Sequence, residues 1–306
     1  MVRQRTNSLY SLGENQMLKK ALLGLGVLFA SSVLPAQTLS NHWEDLTAND
    51  FIQALKQSGG TCLMTLGVIE KHGPTGPLGT DLMNGRYIGD LASKQEYTIM
   101  SPPYYISQIS EARHQPGTIA YPANIQLMML QATVDELGRN GCKKIIIQNA
   151  HGGNTFLLHW FAQTQMDKRH DYAVYAYFAD GSAAPAAAKA TKPGVDGHAG
   201  EGEMSNVMAY APQDVHPERA STESGADQKR VPLPAPVYTG IWWYASQPNH
   251  YQGDAAGANA ARGKAATEYA AVQLAAAIKA IKADTNALRL QNEFFDLTDN
   301  PINTKQ

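Results

Sequence analysis

Apolar and polar positions along this chain switch between a helical spacing and short, nearly continuous apolar runs. Residues 43–57 have the spacing of a short helix, with Thr47 or Asn49 placed to cap it. The mostly apolar stretch 61–68 then reads as a buried strand. Residues 81–94 return to helical spacing, with Leu82, Tyr87, Ile88 and Leu91 available for one inward face. A short strand over 98–101 ends at Pro102 and Pro103. Residues 124–140 form an amphipathic helix capped by Asn124 and closed by Gly141, and 143–148, with three consecutive isoleucines, has the pattern of a strand covered on both faces. A helix over 154–169, a strand over 171–178, a helix reaching about Tyr210 and a long Ala-rich helix over 254–283 complete the series. Residues after Thr285 read as a peripheral tail. This alternation, without an internal repeat, predicts an α/β fold with a mostly parallel central sheet and helices on both faces.

Two segments break the pattern. Residues 181–195 are low in complexity and suit a surface connection or flap. Residues 212–248 are loop-rich, with six prolines, and their aromatic pair Trp242-Trp243 suits packing or a subunit contact before any ligand role.

Composition narrows the function classes. The 306 residues are 43% hydrophobic and 17% charged, enough for one large core. A net charge of −2 provides no basic field for nucleic acid and points to no macromolecular partner. The N-terminus is more telling: Lys19 and Lys20, an apolar run over 21–34 and then Pro35-Ala36-Gln37 have the parts of a secretory signal peptide, with Met17 as an alternative start. Residues 1–36 are therefore assigned to a signal, 37–284 to one catalytic domain and 285–306 to the tail, with export to a periplasm and no stable membrane span once the signal is removed. Cys62 and Cys142 suit an exported disulfide or two small buried residues, and free thiols are the expectation.

Chemistry-bearing residues cluster just past strand ends. Glu70, His72 and Asp81 flank a Gly/Pro-rich loop after the first strand; Glu and His two apart point the same way on an extended chain, and Asp81 returns after the turn. A decorated turn explains this stretch equally well. His151, in Asn149-Ala-His-Gly-Gly-Asn154, lies at the carboxyl end of a central strand, where open α/β sheets build their sites; a structural histidine is the bland alternative. His198, Glu201 and Glu203 open a helix, where carboxylates also occur simply to match the helix dipole. His114 stands beside a Pro-Gly turn.

Taken together these segments resemble the creatininase family of metal-dependent amidohydrolases. The family's Gly-x-x-Glu-x-His-Gly-Pro and Pro-Leu-x-Thr-Asp are met between Gly67 and Asp81, its His-x-Pro-Gly-Thr between His114 and Thr118, its Asn-x-His-Gly-Gly-Asn between Asn149 and Asn154, and its His-Ala-Gly-Glu-x-Glu between His198 and Glu203. The resemblance implies a three-layer α/β/α sandwich and a centre of two divalent ions, Zn2+ first, with Mn2+ or Fe2+ as alternatives. It implies Glu70 and His151 as ligands of one ion, His72 and Glu201 of the other, and Asp81 as the bridge. His198 is implied as the proton shuttle and Glu203 as the group orienting a ligand or His198, the two glutamates being exchangeable. Asn154 and His114 would shape the pocket. The implied reaction is hydrolysis of a C–N bond in a small cyclic or linear amide by water activated between the ions, in a homo-oligomer.

Departures point away from creatinine itself. Lys71 and Thr75 stand where many relatives carry Gln and a second His, Gly152 and Gly153 follow His151 where creatinine hydrolases carry Tyr and Glu, and Gly194 replaces a tryptophan. A non-catalytic periplasmic binding protein and metal-dependent trimming of a short peptide are the alternatives.

Overall fold

Four short strands lie side by side, all parallel, in the order β2-β1-β3-β4: β1 (Thr61–Leu66), β2 (Ile99–Met100), β3 (Lys144–Asn149) and β4 (Ala173–Tyr177). The computed structural model describes residues 39–192, 195–234 and 236–306. The expected signal segment and Gly194 lie outside the described residues. No helix among the described residues is long and apolar enough to cross a membrane.

Side chains alternate across the sheet and so build two cores. Cys62, Met64, Leu66, Ile145 and Ile147 face α1 (Ala48–Gln57), α3 (Ala123–Arg139) and α4 (Asn154–Thr164), burying Ala54, Leu130, Val134, Leu158 and Phe161. Leu63, Ile146 and Met100 face α2 (Thr80–Gln95) and α7 (Ala260–Ala283), burying Ala92, Leu274 and Ile278. Each such Leu or Ile contributes on the order of 2 kcal/mol when fully buried, so a strand with apolar residues on both faces has only the sheet interior to occupy. The result is the expected parallel sheet with helices on both sides. A third cluster forms around α5 (Glu201–Met208), where Met204 and Val207 pack against Tyr251 and Ala255.

Several boundaries differ from the pattern-based expectation for local reasons. Thr47 caps α1 by accepting from Asp50 N, but α3 starts one residue early, after Pro122, and Asn124 caps nothing. The helix after His151 stops at Thr164, where the apolar face gives out. The long helix opens at Ala260 rather than 254, because Asn259 accepts from Arg262 N at 2.9 Å and caps it there. Residues after Thr285 are not a loose tail: α8 (Ala287–Thr298) buries Phe295, and Gln291 donates to Tyr172 O at 3.2 Å beside β4. Its amphipathic spacing lies beyond the Ala-rich run and was masked by polar residues at both ends.

The two cysteines are disulfide-bonded, which overturns the expectation of free thiols. Cys62 is the second residue of β1 and Cys142 precedes β3, with Cα atoms 5.8 Å apart. Their pairing across 80 residues is set by parallel register, which places Cys62 opposite Ile145. A single sequence does not encode that register in any local pattern.

Candidate metal centre

Beyond Leu66 the chain forms a tight double-back pinned by main-chain bonds. Glu70 N donates to Leu78 O, Gly76 N to His72 O and Gly73 N to His250 O, at 3.0, 3.0 and 3.1 Å. Gly73 sits at φ +53° with its α-hydrogen face against the Tyr251 ring, where a Cβ would come within 2.7 Å of ring carbon. Only glycine fits there. The pinned loop holds Glu70 and His72, both fully buried, at the end of β1. Asp81 follows in the first turn of α2, where the helix dipole favours its charge. His151 comes two residues past β3, its N–H donating to Asn149 Oδ1 at 3.2 Å.

These side chains converge on Asp81. Its Oδ1 lies 3.4 Å from His72 Nε2 and its Oδ2 lies 3.1 Å from His151 Nδ1. His151 Nδ1 is also 2.8 Å from Glu70 Oε1, and His72 Nε2 is 3.7 Å from Glu203 Oε1. His72 Nδ1 donates to Glu70 O at 3.2 Å, which leaves Nε2 as the lone-pair nitrogen of the neutral ring, aimed at the carboxylates. Glu70 Oε1, His72 Nε2 and Asp81 Oδ2 are buried without an aligned hydrogen-bond partner. Buried polar atoms are rarely left so, and three carboxylates with two imidazoles form a donor set that suits a borderline divalent cation. The residues fit such ions.

The structure separates the two glutamates of α5. Glu203 reaches back to accept from Ala199 N at 2.6 Å, in the manner of a capping box, and its other oxygen faces His72. Glu201 points elsewhere: it accepts from Thr191 N and Oγ1 at 2.8 and 2.6 Å and pairs with Arg262 at 2.5 Å. The expectation that Glu201 joins the cluster is thus corrected to Glu203. Residues two apart on a helix lie about 200° around its axis, so only one of them can face the centre.

His198 donates from Nε2 to Lys71 O at 2.9 Å, so its neutral ring keeps the Nδ1 lone pair, 3.9 Å from Glu203 Oε2. Its ring packs 4.5 Å from His72. Lys71 itself turns outward to Glu223 at 2.6 Å. Asn154 is buried and accepts from Gln108 N at 3.2 Å, holding the loop that carries Gln108 to the cavity wall. His114 is exposed, 2.8 Å from Pro248 O, and stays out of the cluster.

Sequence reading missed His250. It is buried at φ +51°, accepts at Nδ1 from Trp243 Nε1 at 2.8 Å, and donates from Nε2 to Glu70 Oε2. An indole N–H can only donate, which fixes the tautomer. No spacing in 238–250 announces this, because its acceptor, Glu70, lies on a loop 180 positions away. The aromatic segment also changes role. Phe156, Tyr238, Trp242 and Trp243 wall a cavity of about 500 Å³ that opens onto His151, His198 and Glu203.

Charges shape the ion-free centre. Burial works against charge on His72 and His151, but Glu203 and Asp81 outweigh it for the first, Glu70 and Asp81 for the second, and both are held well above the usual histidine range. Burial likewise opposes the Asp81 charge, and His151 and His72 overcome it, so Asp81 stays well below the usual carboxylate range. Burial lowers His198, and burial with the charge of His72 pulls His250 down to about 3.

Comparison with known proteins follows the same lines. A family model described as creatinine amidohydrolase matches residues 44–278. The mycofactocin precursor peptide peptidase of Mycobacterium tuberculosis (strain CDC 1551 / Oshkosh) is 28% identical over 193 residues, spanning 59% of this chain and 68% of the relative. Among solved structures, a Zn-Zn form of a mutant creatininase superposes with TM-score 0.67 at 17% identity, covering 80% of this chain and 99% of that one. A manganese creatininase gives 0.66 at 18%, covering 80% and 100%.

Proposed function

This chain belongs to the creatininase family, and from that premise we propose that it hydrolyses the C–N bond of an amide at a centre of two divalent ions. Glu70, Asp81 and His151 would hold one ion, and His72, Asp81 and Glu203 the other. The observation that carries this reading is Asp81, whose two oxygens face different histidines from one carboxylate. Zinc and manganese are the candidates, as in the structurally similar creatininases. When bound, the ions would supply an activated water and an electrophile for the amide carbonyl.

The chain's own residues do the rest. His198, lowered by burial and with its Nδ1 lone pair free, takes a proton from the attacking water and returns it to the departing nitrogen. The Lys71 carbonyl holds the ring in that tautomer. Glu203, fixed by Ala199 N, keeps one oxygen toward His72. Phe156, Trp242 and Trp243 offer the substrate an apolar wall beside the bond. The test is metal analysis followed by a screen of lactams, cyclic ureas, N-acyl amines and short peptides; protein that binds ions but hydrolyses none of them would sink the reading.

A second reading, trimming of a peptide-like substrate, is favoured by the likeness to a precursor-peptide peptidase and by a cavity far larger than a creatinine ring needs. Export is also part of the proposal. The Cys62–Cys142 disulfide supports it, since such bonds persist in oxidising compartments. Cell fractionation that recovers the protein with the cytoplasm, its cysteines reduced, would refute it.

A further inference from the structure

His198 and Glu203 bound two cavities rather than one. The first, about 500 Å³, is the aromatic-walled space described above. A second, about 520 Å³, is lined by Asn84, Asn149, Asp196 and Asn206 from α2, β3, the segment before α5 and α5 itself. Gly152, His198 and Glu203 belong to both linings. The partition between the spaces is therefore the reacting centre, and its third member has no side chain to block passage.

The two spaces differ in chemistry. One presents rings, the other amides and a carboxyl group, with Asn206 Oδ1 buried and unpartnered. Among the described residues lining them neither has a lysine or arginine, while Glu111 lines the first and Asp196 the second. A carboxylate on the substrate would meet no cationic side chain of either kind, whereas an amide, hydroxyl or ammonium would find partners. Each volume suits a ligand several times larger than a five-membered ring.

We propose that the substrate is an extended, peptide-like amide without a free carboxylate, lying across the partition with an aromatic or aliphatic group against Trp242 and Trp243 and a polar neutral or cationic portion beside Asn149, Asp196 and Asn206. This rests on the hydrolase reading and narrows its substrate. One water adds across the C–N bond: the acyl half leaves as a carboxylic acid and the nitrogen half as an amine, one into each cavity. A small cyclic amide would use neither wall.

The test uses the full chain loaded with Zn2+ or Mn2+ and four probes: acetyl-Phe-Lys-amide, the same dipeptide with a free carboxylate, acetyl-Phe-amide and creatinine. The blocked dipeptide is expected to exceed each of the others by about tenfold or more in kcat/KM. Ala270→Phe, filling the second cavity from α7, removes that advantage while leaving acetyl-Phe-amide hydrolysis unchanged. Ala179→Trp, on the exposed rim of the same cavity, gives the same result if the first variant does not fold. Quenching of tryptophan fluorescence reads binding apart from turnover, and the blocked dipeptide binds more tightly than acetyl-Phe-amide only while the second cavity is open. Equal kcat/KM and equal quenching for these two probes, or indifference to both fillings, overturns the spanning substrate and leaves the hydrolase reading standing. Tight binding of the blocked dipeptide with no hydrolysis of any probe does the reverse.

Discussion

Trp243 donates its indole N–H to His250 Nδ1 at 2.8 Å, and that one bond decides which imidazole nitrogen faces Glu70. The indole, ring and carboxylate form a chain from the cavity wall to the centre, so an aromatic residue at the surface of the pocket fixes a carboxylate at its floor.

Trp243→Phe keeps the ring but deletes the donor. His250 is then free to take either tautomer, and Glu70 loses its fixed partner. Affinity for Zn2+ falls by about 10- to 100-fold in chelator competition. His250→Gln, which can still donate an N–H, retains more affinity than His250→Leu, and an equal loss in both would show that packing alone is at stake.

The two carboxylates of α5 are separable by mutation. On the two-ion reading, Glu203→Gln lowers metal content toward one ion per chain, and Asp81→Asn lowers it further and abolishes turnover. Glu201→Gln leaves metal content intact but strips Arg262 of its buried partner, lowering stability by about 3 kcal/mol in urea unfolding. Metal loss in Glu201→Gln at full stability would reverse the assignment.

His198→Ala leaves metal content unchanged and slows turnover by about 10²-fold or more. Elemental analysis of the purified variant reads the first outcome and steady-state kinetics the second. Loss of an ion along with activity would make His198 a ligand.

The pH dependence of the ion-free protein follows from the signs of five shifts at the centre. His72 and His151 are raised above the ordinary 6.5, so their contribution to stability is fully present below that value and fades as pH rises through the raised ones. Asp81 is depressed below 3.8, so its contribution is present above that value and lost as pH falls through the depressed one. His198 and His250 are lowered, so they withdraw stability as pH falls below 6.5. Chelated protein is therefore most stable near the ordinary histidine value, and its Tm declines toward alkaline pH. Ions take neutral imidazoles, so metal binding at pH 7 releases protons and tightens with pH. Calorimetry in two buffers of different ionisation enthalpy measures that release.

Reduction removes a crosslink that closes an 80-residue loop, which is worth about 4–5 kcal/mol on the chain-entropy account. Cys62→Ser together with Cys142→Ser lowers Tm accordingly without changing metal content. An unchanged Tm on treatment with reductant would contradict the bond.

Much of this was legible beforehand because it is local. The Ile145-Ile146-Ile147 run, the Gly/Pro loop after β1 and the His-Gly-Gly turn after β3 encode buried strands and sharp exits in short stretches of chain. Glu70, His72, Asp81 and His151 could be named from those exits. What resisted was long-range. Whether Glu201 or Glu203 faces inward depends on where α5 sits relative to Arg262 and Thr191. The approach of His250 to Glu70 spans 180 positions and rests on a residue with left-handed backbone. The Cys62–Cys142 bond depends on strand register, and α8, amphipathic in its own spacing, depends on a surface beside β4 contributed by distant chain.

The disulfide joins β1 and β3 at their amino ends, while the loops carrying Glu70 and His151 leave the same strands at the opposite ends. The two strands are thus riveted at the foundation and furnished at the roof. The span between the Glu70 and His151 loops is set by covalent and sheet bonding. On the metal-centre reading, ions can therefore be stripped and reloaded without dismantling the frame.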